Sequence, residues 1–407
     1  MRDHMRQDSR AIRFIFLMGL VSLFGDVTYE GARSILGPFL ALLGAGAATV
    51  GFVSGLGEFI GYGLRLVSGY FADRTRRYWL IAILGYGITL LAVPLLAFAG
   101  RWEVAAVLVV AERLGKAIRT PARDAMISHA ASRVGTGWGF AMHEALDQVG
   151  AVSGPLLVAG ALYLRAHYQT AFGILFIPAL LAAAALFTAR RLYPDPQALE
   201  DAVPPSLSQP AADSRGWRHL PPVFWIYTLF TAVSVAGYAH FQLIAYHAKS
   251  LALVPDPQIP VYFALAMGLD ALVALVAGRM FDRKGLLTLM ALPVLSIPIP
   301  FLAFSRSAPA LLLGVLLWGG VMGLQETIMR AAIGTMVPSD RRGLAYGVFN
   351  SAYGLSWFVG SSLMGVLYGW SISYTVAFAV LLELASIPVL LKVRRLVRVT
   401  GANGLEG

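Results

Sequence analysis

Apolar residues run along this chain in blocks of about 20 or more, the length that crosses a bilayer, with short polar connections between them. The blocks predict twelve helices, α1–α12. Six lie at roughly 14–42, 47–71, 78–98, 104–130, 138–164 and 169–189, with ends placed to about 2–4 residues. Six more lie at roughly 221–248, 259–280, 286–304, 308–336, 343–368 and 372–391. Between the sets, 190–220 carries ProAspPro, ProPro and several Ser, Asp and Gln without an apolar period. That segment predicts a flexible linker. The expected fold is all-α and integral to the membrane, with an N-terminal six-helix bundle over 1–189, a cytoplasmic linker over 190–220 and a C-terminal six-helix bundle over 221–407. The first block is too long and too charged for a cleaved signal peptide.

Composition agrees with this pattern. Hydrophobic residues make up 57% of the 407 and charged residues 13%, against about 25% charged in a soluble domain. The net charge of +10 does not point to nucleic acid, because the basic residues fall mainly in connections between apolar blocks. The odd-numbered connections hold only Arg101, Arg165, Lys249 and Arg306. The N-terminus, the even-numbered connections, the linker and the C-terminus hold most of the rest. This bias places both termini in the cytoplasm, with which an even number of spans agrees, and the expected location is the plasma (inner) membrane. Cysteine is absent, which excludes disulfides, thiolate metal sites and cysteine catalysis.

The chain repeats itself. The connection after α2 reads Gly69-Tyr-Phe-Ala-Asp73-Arg74-Thr-Arg76-Arg77, and the one after α8 reads Gly278-Arg-Met-Phe-Asp282-Arg283-Lys284-Gly285. Each is glycine, three residues, then Asp-Arg, and they lie 209 positions apart. The start of α5 (Phe140 to Gly154) matches α11 (Tyr346 to Gly360) at an offset of 206. Near-equal offsets predict a six-plus-six duplication with a parallel, pseudo-twofold repeat. A glycine at these helix ends lets a neighbouring helix approach, and Asp73 can sit at a helix N-terminus or pair with an arginine. The same loops also serve simply as topology signals.

With these features the chain resembles the major facilitator superfamily over nearly its whole length. Gly69, Asp73, Arg74 and Arg77 match the family's loop signature. Thr75-Arg76 stands in place of the usual next glycine, which the second copy keeps as Gly285. Arg113 with Gly115 matches a helix 4 arginine motif. Gly150, Gly154 and Pro155 match a GlyxxxGlyPro motif linked in the family with antiporters, although packing and kinking of α5 would explain them equally. The resemblance implies alternating access, a central cavity lined by α1 and α4 and flanked by α5, and a latch between halves at the two Asp-Arg loops. Gly69, Asp73, Arg74, Arg77, Gly278, Asp282 and Arg283 are then gating residues.

Ionisable residues inside spans are costly, at least about 2.5–3.5 kcal/mol each at the bilayer centre on insertion scales. They must therefore face the bundle interior, water or each other. The first half carries thirteen: Asp26, Glu30, Arg33, Glu58, Arg65, Glu112, Arg113, Lys116, Arg119, Arg123, Asp124, Glu144 and Asp147. The second half offers Asp270, Glu326, Arg330 and Glu383. Asp26, Glu30 and Arg33 share one helical face, as do Glu58, Tyr62 and Arg65, and Glu112, Lys116, Arg119 and Arg123. Asp26, Glu30, Glu58, Glu144 and Asp147 are the expected proton carriers. Arg33, Arg65, Glu112, Arg113 and Lys116 are expected in the substrate cavity. Arg119, Arg123 and Asp124, nearer the cytoplasmic end, are expected to gate or to form static pairs. Tyr238, Gln242 and Tyr246 recur every four residues and could form the opposite wall, with Asp270, Gln325, Glu326, Asn350 and Tyr353. Glu326 and Arg330 form an i,i+4 pair, and Glu383 is expected to snorkel or pair locally. His143, Glu144 and Asp147 have a metal-like spacing that a charge cluster explains better.

The expected function is secondary active transport of a small organic solute, coupled to protons, with efflux favoured by the α5 motif. Proton-coupled uptake of an organic anion on Arg33, Arg113 and Lys116 is the alternative, and a non-transporting membrane sensor on the same scaffold is a third reading. No nucleophile elbow, phosphate loop or metal motif suggests an enzyme. The expectation is a monomer in the lipid bilayer that uses no cofactor, metal or nucleic acid.

Overall fold

The protein is seen as a computed structural model that describes residues 2–199, 220–338 and 341–402. Of the linker expected over 190–220, residues 200–219 lie outside the described residues. Every described element is a helix. α1 spans Arg2–Leu42, α2 Ala47–Thr75, α3 Tyr78–Leu95, α4 Trp102–Val134 and α5 Thr136–Tyr163. α6 comes in two pieces, Tyr168–Ile174 and Phe176–Leu192, and so does α7, Pro222–Gly237 and Phe241–Ser250. α8 spans Gln258–Lys284. α9 is a 3-10 segment Gly285–Met290 followed by Ala291–Ser296 and Pro298–Ala303. α10 runs Ala308–Leu324, passes through a π-helical turn Gln325–Met329, and ends as Arg330–Met336. α11 spans Arg342–Trp370 and α12 Ile372–Ala402.

These are the twelve membrane spans. Among the described residues, nine helical stretches are long and apolar enough to cross a membrane, and one of them, Gln258–Ala303 at 46 residues, contains two spans, α8 and α9. α4 and α11 complete the set. They are more polar: α4 carries the central charges, and α11 is interrupted by Gly, Ser, Asn and Tyr.

Several spans are discontinuous, each for a local reason. In α9, Pro293, Pro298 and Pro300 remove backbone donors. α7 has no proline at its break. Tyr238 (φ −91°, ψ 111°) and His240 (φ −70°, ψ 143°) are extended there. A carbonyl freed at membrane depth needs a protein partner, because lipid supplies none. Two indoles provide it: Trp357 Nε1 donates to the Tyr238 carbonyl at 3.1 Å, and Trp318 Nε1 to the Ala239 carbonyl at 2.9 Å. The Tyr238 hydroxyl donates to the Trp318 carbonyl at 2.5 Å, and the two rings stack. The break corrects the expectation that Tyr238 shares one helical face with Gln242 and Tyr246. Tyr238 stands on the other side of it, 2% exposed, and packs among aromatics.

The chain forms two compact units. One comprises residues 1–36 and 64–210, the other 37–63 and 211–407. In the first, α3 packs on α4 and on the second piece of α6, around a core that includes Phe14, Met18, Trp79, Tyr86 and Met126. In the second, α7 packs on α11 and α12, and α8 on α10. The end of α1 and the first half of α2 join this second unit through glycines. A side chain at Gly37 would strike the Gln242 backbone, one at Gly51 the Ser361 carbonyl, and one at Gly55 the Phe358 backbone.

The duplication is visible in packing. A Cβ at Gly154 of α5 would fall on the Val27 carbonyl of α1, and a Cβ at Gly360 of α11 on the Ala236 carbonyl of α7. Both contacts are helix backbone against helix backbone at repeat-related positions, as small residues allow in lipid. Gly154→Val and Gly360→Val should therefore each lower thermal stability in detergent, by about 1–3 kcal/mol or more from overpacking. Gly160→Val and Gly369→Val, whose added atoms meet open space, should leave the melting temperature nearly unchanged. Equal melting temperatures across the four variants would remove the packing role.

Candidate functional site

In the first unit one side of α1 carries Ser22, Asp26, Tyr29, Glu30 and Arg33, spaced three and four apart as the helical period requires. Asp26 lies halfway along the span Asp8–Leu42. Tyr29, 2% exposed, is the centre of the arrangement. Arg113 of α4 donates to its hydroxyl, and three cations gather around its ring. The distances to the ring centroid are 3.9 Å for Lys116 Nζ, 4.8 Å for the Arg113 guanidinium and 6.0 Å for that of Arg33. A ring face attracts cations most strongly where water is excluded. Carboxylates balance them. Glu30 lies 3.4 Å from Arg33, and Glu112 lies 3.5 Å from Arg113. A small cavity bounded by Tyr29, Arg33, Val93, Glu112 and Arg113 has about 20 Å³ of water-sized space, room for about one water molecule.

A second cluster follows one turn along. Arg119, 1% exposed, lies over the Tyr86 ring at 4.3 Å and 3.9 Å from Asp26. Arg123 is held by Asp124 at 2.9 Å and Asp147 at 3.7 Å, and it donates to the Ser22 hydroxyl at 3.0 Å. With its oxygen accepting from Arg123, Ser22 can turn its own proton to His143 Nε2, 2.9 Å away. His143 Nδ1 then faces Asp147 at 3.6 Å. The ligand-capable atoms of His143, Glu144 and Asp147 lie within 4.8 Å of one another. Ser22 and Arg123 already engage His143 and Asp147, so the set has the chemistry of a charge cluster. Glu144 is exposed and meets Gln148.

The distances separate tight pairs from loose ones. Charge-assisted hydrogen bonds close to about 2.7–2.9 Å, which Arg123–Asp124 reaches. The pairs of Asp26 and Glu30 stand at 3.9 Å and 3.4 Å. Glu30 is buried and Asp26 partly buried, and both lie among several cations at these longer distances.

The loop residues are placed differently. Asp73, Arg74 and Arg77 are exposed, as are Asp282 and Arg283, and Arg74 donates to the Tyr70 hydroxyl at 3.2 Å. A Cβ on Gly69 would stand 3.5 Å from Pro121, and one on Gly278 3.8 Å from Thr327. Both are ordinary contacts, so close helix approach is not what calls for glycine there. Arg65 is half-buried in the first unit. Glu58 and Tyr62 of the same helix belong to the second.

In the second unit the Tyr62 and Tyr353 rings meet at 5.0 Å, and the Tyr353 hydroxyl donates to Gln325 Oε1 at 3.0 Å. Gln325, Glu326, Arg330 and Asn350 complete a narrow pocket beside these rings. The π turn lies between Glu326 and Arg330, so their four-residue spacing spans a wider turn than an α-helix gives. Asp270 is buried on α8, its backbone against Gly323. Gln242 is fully buried, and neither side-chain polar atom has a hydrogen-bond partner among the described residues. The sequence reading omitted Tyr29, Ser22 and Tyr86. The first two were detectable, since they fall on the same helical stripe as Asp26 and Arg33. Tyr86, on α3, offered no such signal.

With this geometry in place, comparisons with known proteins are informative. The family model described as Major Facilitator Superfamily matches residues 22–361. An uncharacterized protein of Mycobacterium tuberculosis is 46% identical over 385 residues, covering 94% of this chain and 93% of its own length. An uncharacterized MFS-type transporter of Methanocaldococcus jannaschii is 25% identical over 380 residues, covering 91% and 92%. Among solved structures, the nucleoside transporter NupG superposes with a TM-score of 0.70 at 13% identity, covering 94% of this chain and 98% of that one. The peptide transporter POT in complex with sulfate gives 0.72 at 13% identity, covering 94% of each chain. At such identities these two structures show a shared fold.

The Arg123 cluster has a measurable signature. Arg123→Met removes the cation beside Asp147 in a partly buried cluster and should destabilise the protein by less than the ~3–5 kcal/mol of a fully buried pair. Adding Asp147→Asn should recover part of that loss, with a coupling of about 0.5–3 kcal/mol in unfolding of the four proteins. Strict additivity would mean that the two groups do not interact.

Proposed function

The chain belongs to the Major Facilitator Superfamily, and from that premise we propose that it is a proton-coupled secondary transporter exporting a small polar organic solute by proton antiport. Membership makes it a multi-pass membrane transporter. The observation that carries the finer reading is the pair of loosely held carboxylates, Asp26, partly buried, and Glu30, buried, set mid-span among Arg33, Arg113, Lys116 and Arg119. A carboxylate is stabilised as an anion by a nearby cation and as an acid by burial. Small shifts of α1 against α4 would exchange one condition for the other, so that a proton is bound in one state and released in the next. Arg33, Glu112, Arg113 and Lys116 are the polar solute contacts of the first unit, and Tyr62, Gln325, Asn350 and Tyr353 the softer ones of the second. Glu58 is a further proton carrier, and Arg65, Gln242, Asp270 and Glu326 join the solute walls. Arg119, Arg123, Asp124, Glu144 and Asp147 hold or gate the path beneath. The termini lie in the cytoplasm and the protein works as a monomer in the plasma membrane, with the Lys and Arg of the N-terminus, the even-numbered connections, the linker and the C-terminus supporting that orientation.

A second reading has its own observation. Three cations around Tyr29 would suit an organic anion, taken up together with protons. The sign of the flux separates the two. A thermal-shift screen of solutes on purified protein, followed by flux of any hit into proteoliposomes under an imposed pH gradient, names the solute and its direction.

Asp26→Asn or Glu30→Gln should abolish gradient-driven flux, a loss of about tenfold or more, while the protein stays folded. Wild-type flux in both variants would remove these residues from proton coupling. The Asp-Arg loops are tested separately. The chain has no cysteine, so engineered single cysteines report accessibility without background. Asp73→Ala should change their labelling rates on the two sides of the membrane in opposite directions. Unchanged labelling would leave Asp73 as a topology signal alone.

A further inference from the structure

Glu383 of α12 takes no part in the mechanism above. It lies mid-span in Ile372–Val397 and is 1% exposed, so it neither snorkels nor reaches water. Its carboxyl group accepts from the Ser234 hydroxyl of α7 at 3.3 Å and 3.1 Å. The Ser296 hydroxyl of α9, which packs on α12, is buried too and has no hydrogen-bond partner among the described residues. A Cβ on Gly237 would lie 3.5 Å from Glu383 Cγ. Gly237 is the last residue of the first piece of α7, immediately before the break at Tyr238–His240.

No cation answers this carboxyl among the described residues. α12 packs on α7, α9 and α11. Pro222–Gly237 of α7 and Gly285–Ala303 of α9 contain no Asp, Glu, Lys, Arg or His. On α12 the next charge is Lys392, nine residues on. On α11 the one such residue is Arg342, at the first position, donating to the Val337 and Gly334 carbonyls. The tyrosines of these helices are engaged elsewhere: Tyr227 with the Met329 carbonyl, Tyr346 with that of Arg330, Tyr353 with Gln325 and Tyr368 with His247. Tyr374 is exposed. The C-terminal end of an α-helical segment is also the negative end of its dipole, and that end is what α7 presents here. An anion in this position would be buried without a counter-charge against a negative dipole end, which folded proteins avoid by neutralising the group.

We propose that Glu383 is a proton-binding site built into the α7 break, occupied in the structure described here and emptied only when the break opens to water. As a neutral acid it keeps its hydrogen bond with the Ser234 hydroxyl. As an anion it would repel the last carbonyls of Pro222–Gly237 and loosen the turn that Trp318 and Trp357 cap. The site binds one proton, and the break is the element its occupancy controls. That the proton is exchanged during a transport cycle rests on the transporter reading above. That it is bound does not.

The test is infrared spectroscopy of purified protein, wild type against Glu383→Gln, which preserves shape and hydrogen bonding. The expected result at neutral pH is a carbonyl stretch from a protonated, buried carboxyl that is lost in Glu383→Gln. Ser234→Ala, which keeps the acid and removes its donor, should shift that band. Raising the pH should change tryptophan fluorescence in the wild type, through the indoles at the break, and leave Glu383→Gln unmoved. A wild type without a band that Glu383→Gln removes, or a band that Ser234→Ala does not shift, overturns the proposal. So does an equal fluorescence response in both proteins. None of these measurements requires flux, so a failed transport assay with Asp26 or Glu30 variants leaves the test intact.

Discussion

The cost of holding charge away from water is the constraint from which the rest of this structure follows. α4 would be a poor membrane helix by itself, with Glu112, Arg113, Lys116, Arg119, Arg123 and Asp124 within four turns. It becomes acceptable because α1 and α5 offer opposite charges, and α1 and α3 the aromatic faces of Tyr29 and Tyr86. Tyr29 and Tyr86 matter as much as the carboxylates in this respect. The Tyr29 ring receives Lys116, Arg113 and Arg33, and the Tyr86 ring Arg119. Folding of the first unit and the proposed proton coupling therefore rest on the same charges.

The backbone obeys a parallel rule in the second unit. A broken helix exposes carbonyls, and lipid cannot satisfy them. At the α7 break two indole donors occupy the freed oxygens, and aromatic packing around Trp318 and Trp357 holds them in place. The break is thus specified by residues on α10 and α11 rather than by α7. This explains why a helix without proline at that position is interrupted, and why it can be interrupted without water.

What the sequence made legible follows from the range of each interaction. Hydropathy is local, so twelve spans could be read, including α4 and α11, whose polarity hides them from a composition test. The three- and four-residue spacing of Asp26, Glu30 and Arg33 is also local, and their common face is seen in the structure. The breaks were less accessible. Pro293, Pro298 and Pro300 announce those in α9, but the α7 break depends on Trp318 and Trp357, about 80 and 120 positions away. The grouping of residues 37–63 with the second unit depends on glycines meeting backbone at Gln242 and Ser361, contacts with no signature in either segment alone. Glu383 shows the same limit. Counting from the helix end suggested a residue near the surface, whereas α12 continues to Ala402 and leaves it deep in the span.

The duplication sharpens the contrast between the units. Gly154 on Val27 and Gly360 on Ala236 show that the packing of α5 on α1 and of α11 on α7 was inherited twice. These same contacts account for Gly150 and Gly154 without reference to transport direction, since a Cβ on Gly150 would also meet the Leu23 carbonyl, at 2.5 Å. Tyr29 and Tyr238 are 209 positions apart, the offset of the Asp-Arg loops, so they are counterparts. Tyr29 sits on an unbroken helix with its hydroxyl turned to Arg113. Tyr238 sits at a break with its hydroxyl turned to a tryptophan carbonyl. One ancestral position has become the centre of a cation cluster in one unit and the edge of a hinge in the other. On the proposed proton coupling, a second copy with few charges would respond to protonation by some other means. A lone neutralised acid beside a helix break provides one, because a single proton there changes the strain on a hinge and not the balance of a network.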